Sequence, residues 1–369
     1  MPDNMNAKLY ELALICVPGV GAQTAKTLIS YCGSAEEVFR SSRKALEQIP
    51  GIGEQIVDNI QDPDLLAKAE RELEKMDHQG LRLVYYNDPA YPQRLRPFFD
   101  CPVGLFYKGV QDLNPPRVLS VIGTRKPTRE GLAFCEQLIT DLVPYQPVIV
   151  SGLAYGIDIC AHRTALREGL PTIGAMAHGH QYLYPAAHRP VADKMLQAGG
   201  LLSEYPSFVY PEKEYFPMRN RIVAGMCDAL IVIETAAKGG SIITANLANG
   251  YNKEVFAVPG RVHDKRSQGC NQLIKSHRAC LLESVKDIAY ILGWNKPPKG
   301  EAQQQLLFTE LSADQKNIVA LLRNDSPVHI DQMIYQCGLS SSALAAILLD
   351  LECKGLVQSL PGKRYQLQR

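Results

Sequence analysis

Three short stretches of this 369-residue chain bring glycine together with a hydroxyl or a cation: Gly123-Thr124-Arg125-Lys126, Ser151-Gly152-Leu153-Ala154-Tyr155-Gly156-Ile157-Asp158 and Lys238-Gly239-Gly240-Ser241. Glycine lets a ligand approach the main chain, amides and hydroxyls donate to phosphate oxygens, and Arg125 and Lys126 add charge. One such stretch says little, but three gathered on one edge make an anion site. A fourth segment, Glu212-Lys213-Glu214-Tyr215-Phe216-Pro217-Met218-Arg219-Asn220-Arg221, interleaves cations with aromatic rings. Rings of this kind offer faces on which unpaired bases stack, at ~1–3 kcal/mol per base. Phosphate grip joined to a base platform suits single-stranded nucleic acid. The competing reading is that Tyr215 and Phe216 fill the core beneath their segment.

The elements that must position these residues are legible as apolar runs at 118–123, 148–151, 172–177, 200–203, 229–234, 254–259 and 280–282, alternating with helical patterns. Strands apolar on both faces belong to a mostly parallel sheet covered by helices, so the expected core is α/β, a Rossmann-like doubly wound sheet. In such sheets ligands bind beyond the carboxyl ends of the strands, and all three glycine-bearing stretches fall there. The candidate nucleic-acid-contacting residues are Gly123, Thr124, Arg125, Lys126, Ser151, Gly152, Gly156, Lys213, Phe216, Arg219, Asn220, Arg221, Gly239, Gly240 and Ser241. Of Arg219 and Arg221, which point to different faces of one helix start, one is expected to meet phosphate and the other to tie the segment down. Asp158, capping a helix, and His162, one turn later, are expected to form a structural pair rather than a catalytic one. Glu234 is expected to brace the neighbouring glycine-rich loop.

The core is flanked on both sides. Val17-Pro18-Gly19-Val20-Gly21 and Ile49-Pro50-Gly51-Ile52-Gly53 each lead into a helical pattern, over 22–30 and 54–60. This repeat resembles the helix-hairpin-helix family, whose glycine turns present helix N-terminal amides to a phosphate. Residues 1–80 nevertheless carry thirteen acids against eight bases, whereas residues 81–300 carry twenty-five bases against eighteen acids. With only Lys26 near the first hairpin, the acidic balance favours a packing or docking module of the sterile-alpha-motif kind over one that grips DNA. Residues 81–116 read as short strands broken by prolines, and the core is expected to span 81–294. A Pro/Gly/Gln linker over 295–308 leads to a last module, 309–369, with helical patterns at 314–322, 330–336 and 340–354 and a hairpin at 356–360 and 364–367. This is the winged-helix order, but its third helix offers almost nothing to bases or phosphates, so protein docking is its expected use.

Other classes are disfavoured on composition. No stretch approaches the ~20 apolar residues of a membrane span, and the polar start lacks a secretory signal, so a cytoplasmic protein without membrane contact is expected. Ten cysteines include no Cys-x-x-Cys pair, and neither a metal nor another cofactor is expected. A nucleotide-processing enzyme of the phosphoribohydrolase type is one alternative; its Gly-Gly-x-Gly-Thr-x-Glu turn carries a working acid, whereas Gly239-Gly240 here runs into Ser241-Ile242-Ile243-Thr244-Ala245-Asn246. No Gly-x4-Gly-Lys-Ser/Thr loop supports an ATPase. A winged-helix transcription regulator, the other alternative, would select duplex over single strands.

The strings SVIGTR, SGLAYGIDICAHRTAL, EKEYFPMRNRIVAG and ETAAKGGSIITANLA occur in this order. Together they resemble the DNA-processing protein A family, also called DprA or Smf, and the resemblance runs over nearly the whole chain. It implies a dimeric, non-enzymatic single-stranded DNA binder of natural transformation that protects incoming strands and helps load the RecA recombinase. Single-strand-binding protein is a further candidate partner. The family's DNA-contacting positions fall on Arg125, Lys213 and Phe216, with backbone support from Gly240-Ser241.

Overall fold

The computed structural model describes residues 2–294, 312–324, 327–353, 356–360 and 363–367, in two compact units, 1–296 and 297–369. The linker expected over 295–308 and the Pro361-Gly362 turn lie outside the described residues.

The larger unit is organised by a sheet of nine strands: β1 (Arg82–Tyr85), β2 (Gly104–Gly109), β3 (Val118–Gly123), β4 (Val148–Ser151), β5 (Thr172–Met176), β6 (Gly200–Ser203), β7 (Ala229–Ile233), β8 (Glu254–Ala257) and β9 (Cys280–Leu281). Their order is β1-β2-β6-β5-β4-β3-β7-β8-β9, and every pairing from β6 to β9 is parallel. Alternate residues serve the two faces, as strand periodicity requires. Ala229, Ile231 and Ile233 of β7 pack with Leu138, Ala161 and Ile288 from helices on one side. Leu230 and Val232 pack with Ile222, Ala245 and Leu273 from helices on the other. The doubly wound expectation therefore holds.

The proline-broken stretch is more than a connector. Its expected short strands are β1 and β2, antiparallel strands that extend the sheet past β6. The chain between them is pinned to the core: Arg94 forks onto the Asp228 carboxylate at 2.6 and 3.1 Å, and Asp228 also accepts from the Val118 amide at 2.8 Å.

The N-terminal helices form the expected tandem of hairpins, which tie to one another where Asn59 donates to the Pro18 carbonyl at 2.9 Å. Lys26 points into the protein, donating to Phe99 O at 2.9 Å and to Cys101 Sγ at 3.0 Å. Glu72, buried in the helix Pro63–His78, accepts from the Ser207 amide at 3.0 Å. Leu12, Ala69 and Met76 cover Leu83 and Phe106 of the sheet edge. Full burial of side chains such as these last two contributes ~1.5–3 kcal/mol each. The module is thus built to dock on the sheet, and the cation that could have served a phosphate is used for that.

The smaller unit has helices Ala313–Asn324, Ile330–Cys337 and Ser341–Cys353, with a sheet in which Arg364–Leu367 lies between Val328–His329 and Val357–Leu360. This is a winged-helix arrangement around Ile318, Met333, Leu344 and Leu348. The third helix exposes Ser342, Ala345, Ala346 and Leu349, a face without a cation. Among the described residues no single helix is long and apolar enough to cross a membrane.

Candidate nucleic-acid interface

The chain winds from β3 outward to β6 and then returns to β3's other side for β7, β8 and β9. Strand order reverses between β3 and β7, and the loops that leave their carboxyl ends must diverge there and open a crevice. The structure has a cleft of ≈ 430 Å³ at this point.

One wall is the loop after β3, with Gly123, Thr124 and Arg125 on the cleft. Its shape is set from β7: the Thr124 amide donates to Glu234 O at 2.8 Å, and the Glu234 carboxylate accepts from the Thr128 amide at 2.7 Å and from the Thr128 hydroxyl. The bracing expected of Glu234 is what it does, and its φ of +50° is the local strain that this role imposes. The opposite wall is the start of the helix Gly240–Gly250. Gly239 caps it without a side-chain bond, leaving first-turn amides for a ligand, and Gly239, Gly240 and Ser241 line the cleft. Thr244 lies one turn beyond Ser241 on the same face, and half-exposed Ile243 adds an apolar edge.

The third side is helical, and the helix starts earlier than the expected start around Arg219 and Arg221. The segment 215–225 is a helix, and its first turns bring Phe216, Pro217, Arg219 and Asn220 to the cleft. Phe216 is half-buried, edge-on to Tyr184 with ring centroids 5.6 Å apart, and the Arg125 guanidinium lies 5.8 Å from its centroid. Tyr215 turns away to pack on Tyr205 at 4.4 Å. Phe216 is therefore a cleft residue with one flank supported, and Tyr215 takes the packing role.

Beneath them, the loop after β4 is clamped by Arg219. This side chain is 4% exposed and donates to Gly152 O at 2.5 Å and to Ala175 O. Asp158, also buried, accepts from the Gly152 amide at 3.2 Å. Burial pushes the Asp158 carboxyl up, and the charge of Arg219 opposes that shift. Glycine is required at two points here. A Cβ on Gly152 would lie 2.5 Å from the Arg219 guanidinium, and one on Gly156, whose φ is +82°, would lie 2.2 Å from Thr124 O. The loops after β3 and β4 thus interlock.

Other candidates are placed differently from the sequence expectation. Arg221 is 6% exposed and bonds to Asp100 O at 2.5 Å and to the Glu204 carboxylate, so both arginines hold the protein together and neither projects as a free cation. Ser151 is fully buried, donating to Val121 O at 2.6 Å. Lys213 is exposed in the turn before the helix but is not among the residues lining the cleft. Lys126 and Gly156 line an adjoining groove instead. Thr235, Ile243 and Thr244 line the cleft and were missed; the helical spacing from Gly240 could have found the last two.

The expected Asp158–His162 pair does not form. The Thr172 hydroxyl donates to Ile149 O at 2.8 Å, so it accepts from His162 Nδ1 at 2.6 Å, and His162 Nε2 has no partner among the described residues. Burial holds His162 neutral and pushes its pKa down to about 3. The unfolded chain binds a proton near pH 6.5 that the folded chain refuses, so this contribution to stability is present above pH 6.5 and is lost as pH falls toward 3. Glu11, raised by burial to about 7, works in the opposite direction over pH 7 to 4.5, so a wild-type scan alone mixes the two. Comparing melting temperatures of wild type and His162→Gln removes Glu11 from the difference. The gap between them should shrink as pH falls from 7 to 4; a gap that stays constant would show that His162 titrates normally.

The cleft lies inside a segment, residues 82–293, that matches the model of the family described as DNA recombination-mediator protein A. The chain belongs to that family. Residues 298–363 match the DprA winged helix domain, and residues 11–62 match a SAM-like helix-hairpin-helix tandem. Among curated relatives, Protein Smf of Synechocystis sp. is 31% identical over 97% of this chain and 98% of its own length. The X-ray structure of DNA processing protein A from Streptococcus pneumoniae superposes with a TM-score of 0.68 at 33% identity, covering 76% of this chain and 97% of that one. DNA processing protein A from Helicobacter pylori, whose structure was described for its single-stranded DNA binding mode, gives a TM-score of 0.52 at 30% identity, covering 57% of this chain and 95% of that one.

Proposed function

We propose that this protein is a single-stranded DNA-binding recombination mediator, which protects strands entering during natural transformation and helps load RecA on them as a homodimer, without catalysing a reaction on the DNA. The observation that carries the reading is the cleft at the strand-order reversal, where an uncapped helix start, the exposed Arg125 and the supported Phe216 ring converge. Amides and guanidinium take the phosphates, and Phe216 and Ile243 take the faces of unpaired bases. A duplex hides its base faces, so this combination favours single strands. Asp158, the carboxylate on the lining, is occupied with Gly152 and Arg219, which supports binding over acid-base chemistry at this cleft. Membership of the family, and the single-stranded DNA mode described for the Helicobacter pylori member, support the same reading.

The test is binding of the full chain to labelled single-stranded and duplex oligonucleotides across a salt series, with a nucleotide hydrolysis assay beside it. Single strands should bind more tightly, with little base preference and a slope of about −0.7 in log affinity against log salt per phosphate neutralised. Preference for duplex, or affinity indifferent to salt, removes the proposal. RecA loading is tested separately, by whether the protein speeds RecA filament formation on strands already covered by single-strand-binding protein.

A further inference from the structure

The face of the β3 loop opposite the cleft borders a second groove, of ≈ 710 Å³, and Arg125 lines both. The groove runs between this loop and the helix Ile157–Arg167, and four cations face it: Arg125, Lys126, Arg163 and Arg167. Lys126, Arg163 and Arg167 are all exposed. Among the described residues Glu136 is the one acid on the lining, and Arg167 is engaged by Glu168, at 2.9 Å on the surface, where an ion pair holds little. At the mouth stands Tyr155, 47% exposed, its ring held edge-on by His188 with centroids 4.9 Å apart. His188 is itself fixed through Nδ1 to Leu153 O at 2.8 Å, so the exposed ring face is presented rather than free to swing.

A supported ring beside exposed cations is the pairing that Phe216 and Arg125 make in the cleft, here with more charge. We infer that this groove continues the nucleic-acid path past Arg125: a strand gripped in the cleft extends across the β3 loop, its phosphates meeting Arg163 and Arg167 and one base stacking on Tyr155. The inference rests on the proposed single-strand binding and adds a second subsite to it. A continuous path would also explain why Arg125 projects from a loop so firmly braced, since one guanidinium at the divide can serve phosphates on both sides.

Strand length tests this. Affinity of the full chain for oligothymidylates of about 4 to about 20 nucleotides, a range spanning known single-strand site sizes, is measured for wild type, for Arg163→Ala with Arg167→Ala, and for Tyr155→Ala. Wild-type affinity should rise with length until both subsites are filled. The double arginine variant should match wild type on the shortest strands and fall behind on long ones, with its salt slope on long strands reduced by about 1.4. Tyr155→Ala should lose about tenfold on long strands with the slope unchanged. If long strands bind wild type and variants alike, or if short and long strands are weakened equally, the second subsite is wrong while the cleft reading stands. If wild type binds no single strand of any length, the proposed function has failed first. Arg163→Glu serves as the stronger variant, and melting curves confirm that each protein is folded.

Discussion

Arg219→Met should lower the melting temperature of the larger unit by about 10 °C, the largest stability effect expected of any residue on the cleft. The guanidinium is buried with Asp158 and feeds two main-chain carbonyls, Gly152 O at 2.5 Å and Ala175 O, which lie at the ends of neighbouring strands. Its removal leaves both carbonyls short of a donor and the Asp158 carboxyl without its counter-charge. Breaking a buried pair on one side typically costs ~3–5 kcal/mol. Removing both partners leaves less charge stranded, so Asp158→Asn combined with Arg219→Met should be less destabilised than the two single changes add up to. Additive losses would show that the two side chains do not act as a pair. Arg219→Lys keeps the charge but not the fork and should fall between wild type and Met.

In binding, the largest effects should divide into two signatures. Arg125→Ala removes an exposed cation, so it should weaken every single strand and reduce the magnitude of the salt slope by about 0.7. Phe216→Ala removes a stacking face, so it should cost ~1–3 kcal/mol of affinity with the slope nearly unchanged. Phe216 is half-buried against Tyr184, and its truncation can also cost stability, so binding is compared with melting. A variant that melts like wild type, binds an abasic strand equally well and binds a base-bearing strand more weakly establishes stacking. A variant that loses stability while its folded fraction binds normally returns Phe216 to a packing role.

The sheet was legible because strands covered on both faces leave unbroken apolar runs, and β3 to β9 are read almost at their observed bounds. The short strands between the prolines were legible too, as β1 and β2, but not their place in the sheet: β2 finds its partner in β6, nearly a hundred residues on, a pairing that no local pattern announces. The helix expected to start around Arg219 begins four residues earlier, with Pro217 its third residue, where the missing amide would have had no intrahelical acceptor. The glycine-bearing stretches pointed to the right strand ends, since loop position follows from topology. The fates of Arg219, Arg221 and Lys26 did not show, because what holds them is mostly carbonyls from distant segments: Gly152 and Ala175, Asp100, and Phe99. Type and spacing mark a cation as available; only tertiary neighbours reveal that it is already occupied.

The interlocked loops after β3 and β4, with Gly156 wedged against Thr124 and Arg219 tying Gly152 to Ala175, leave the cleft little room to reshape itself. In a rigid binding surface of this kind, most of the ordering falls on the ligand. A run of thymidines, which stack weakly on one another, gives up little when its bases swing onto a protein ring. A run of adenines must first abandon its own stacked helix. The modest preference left among strands would then follow their stiffness, a property of the polymer, with no contact that reads the identity of a base.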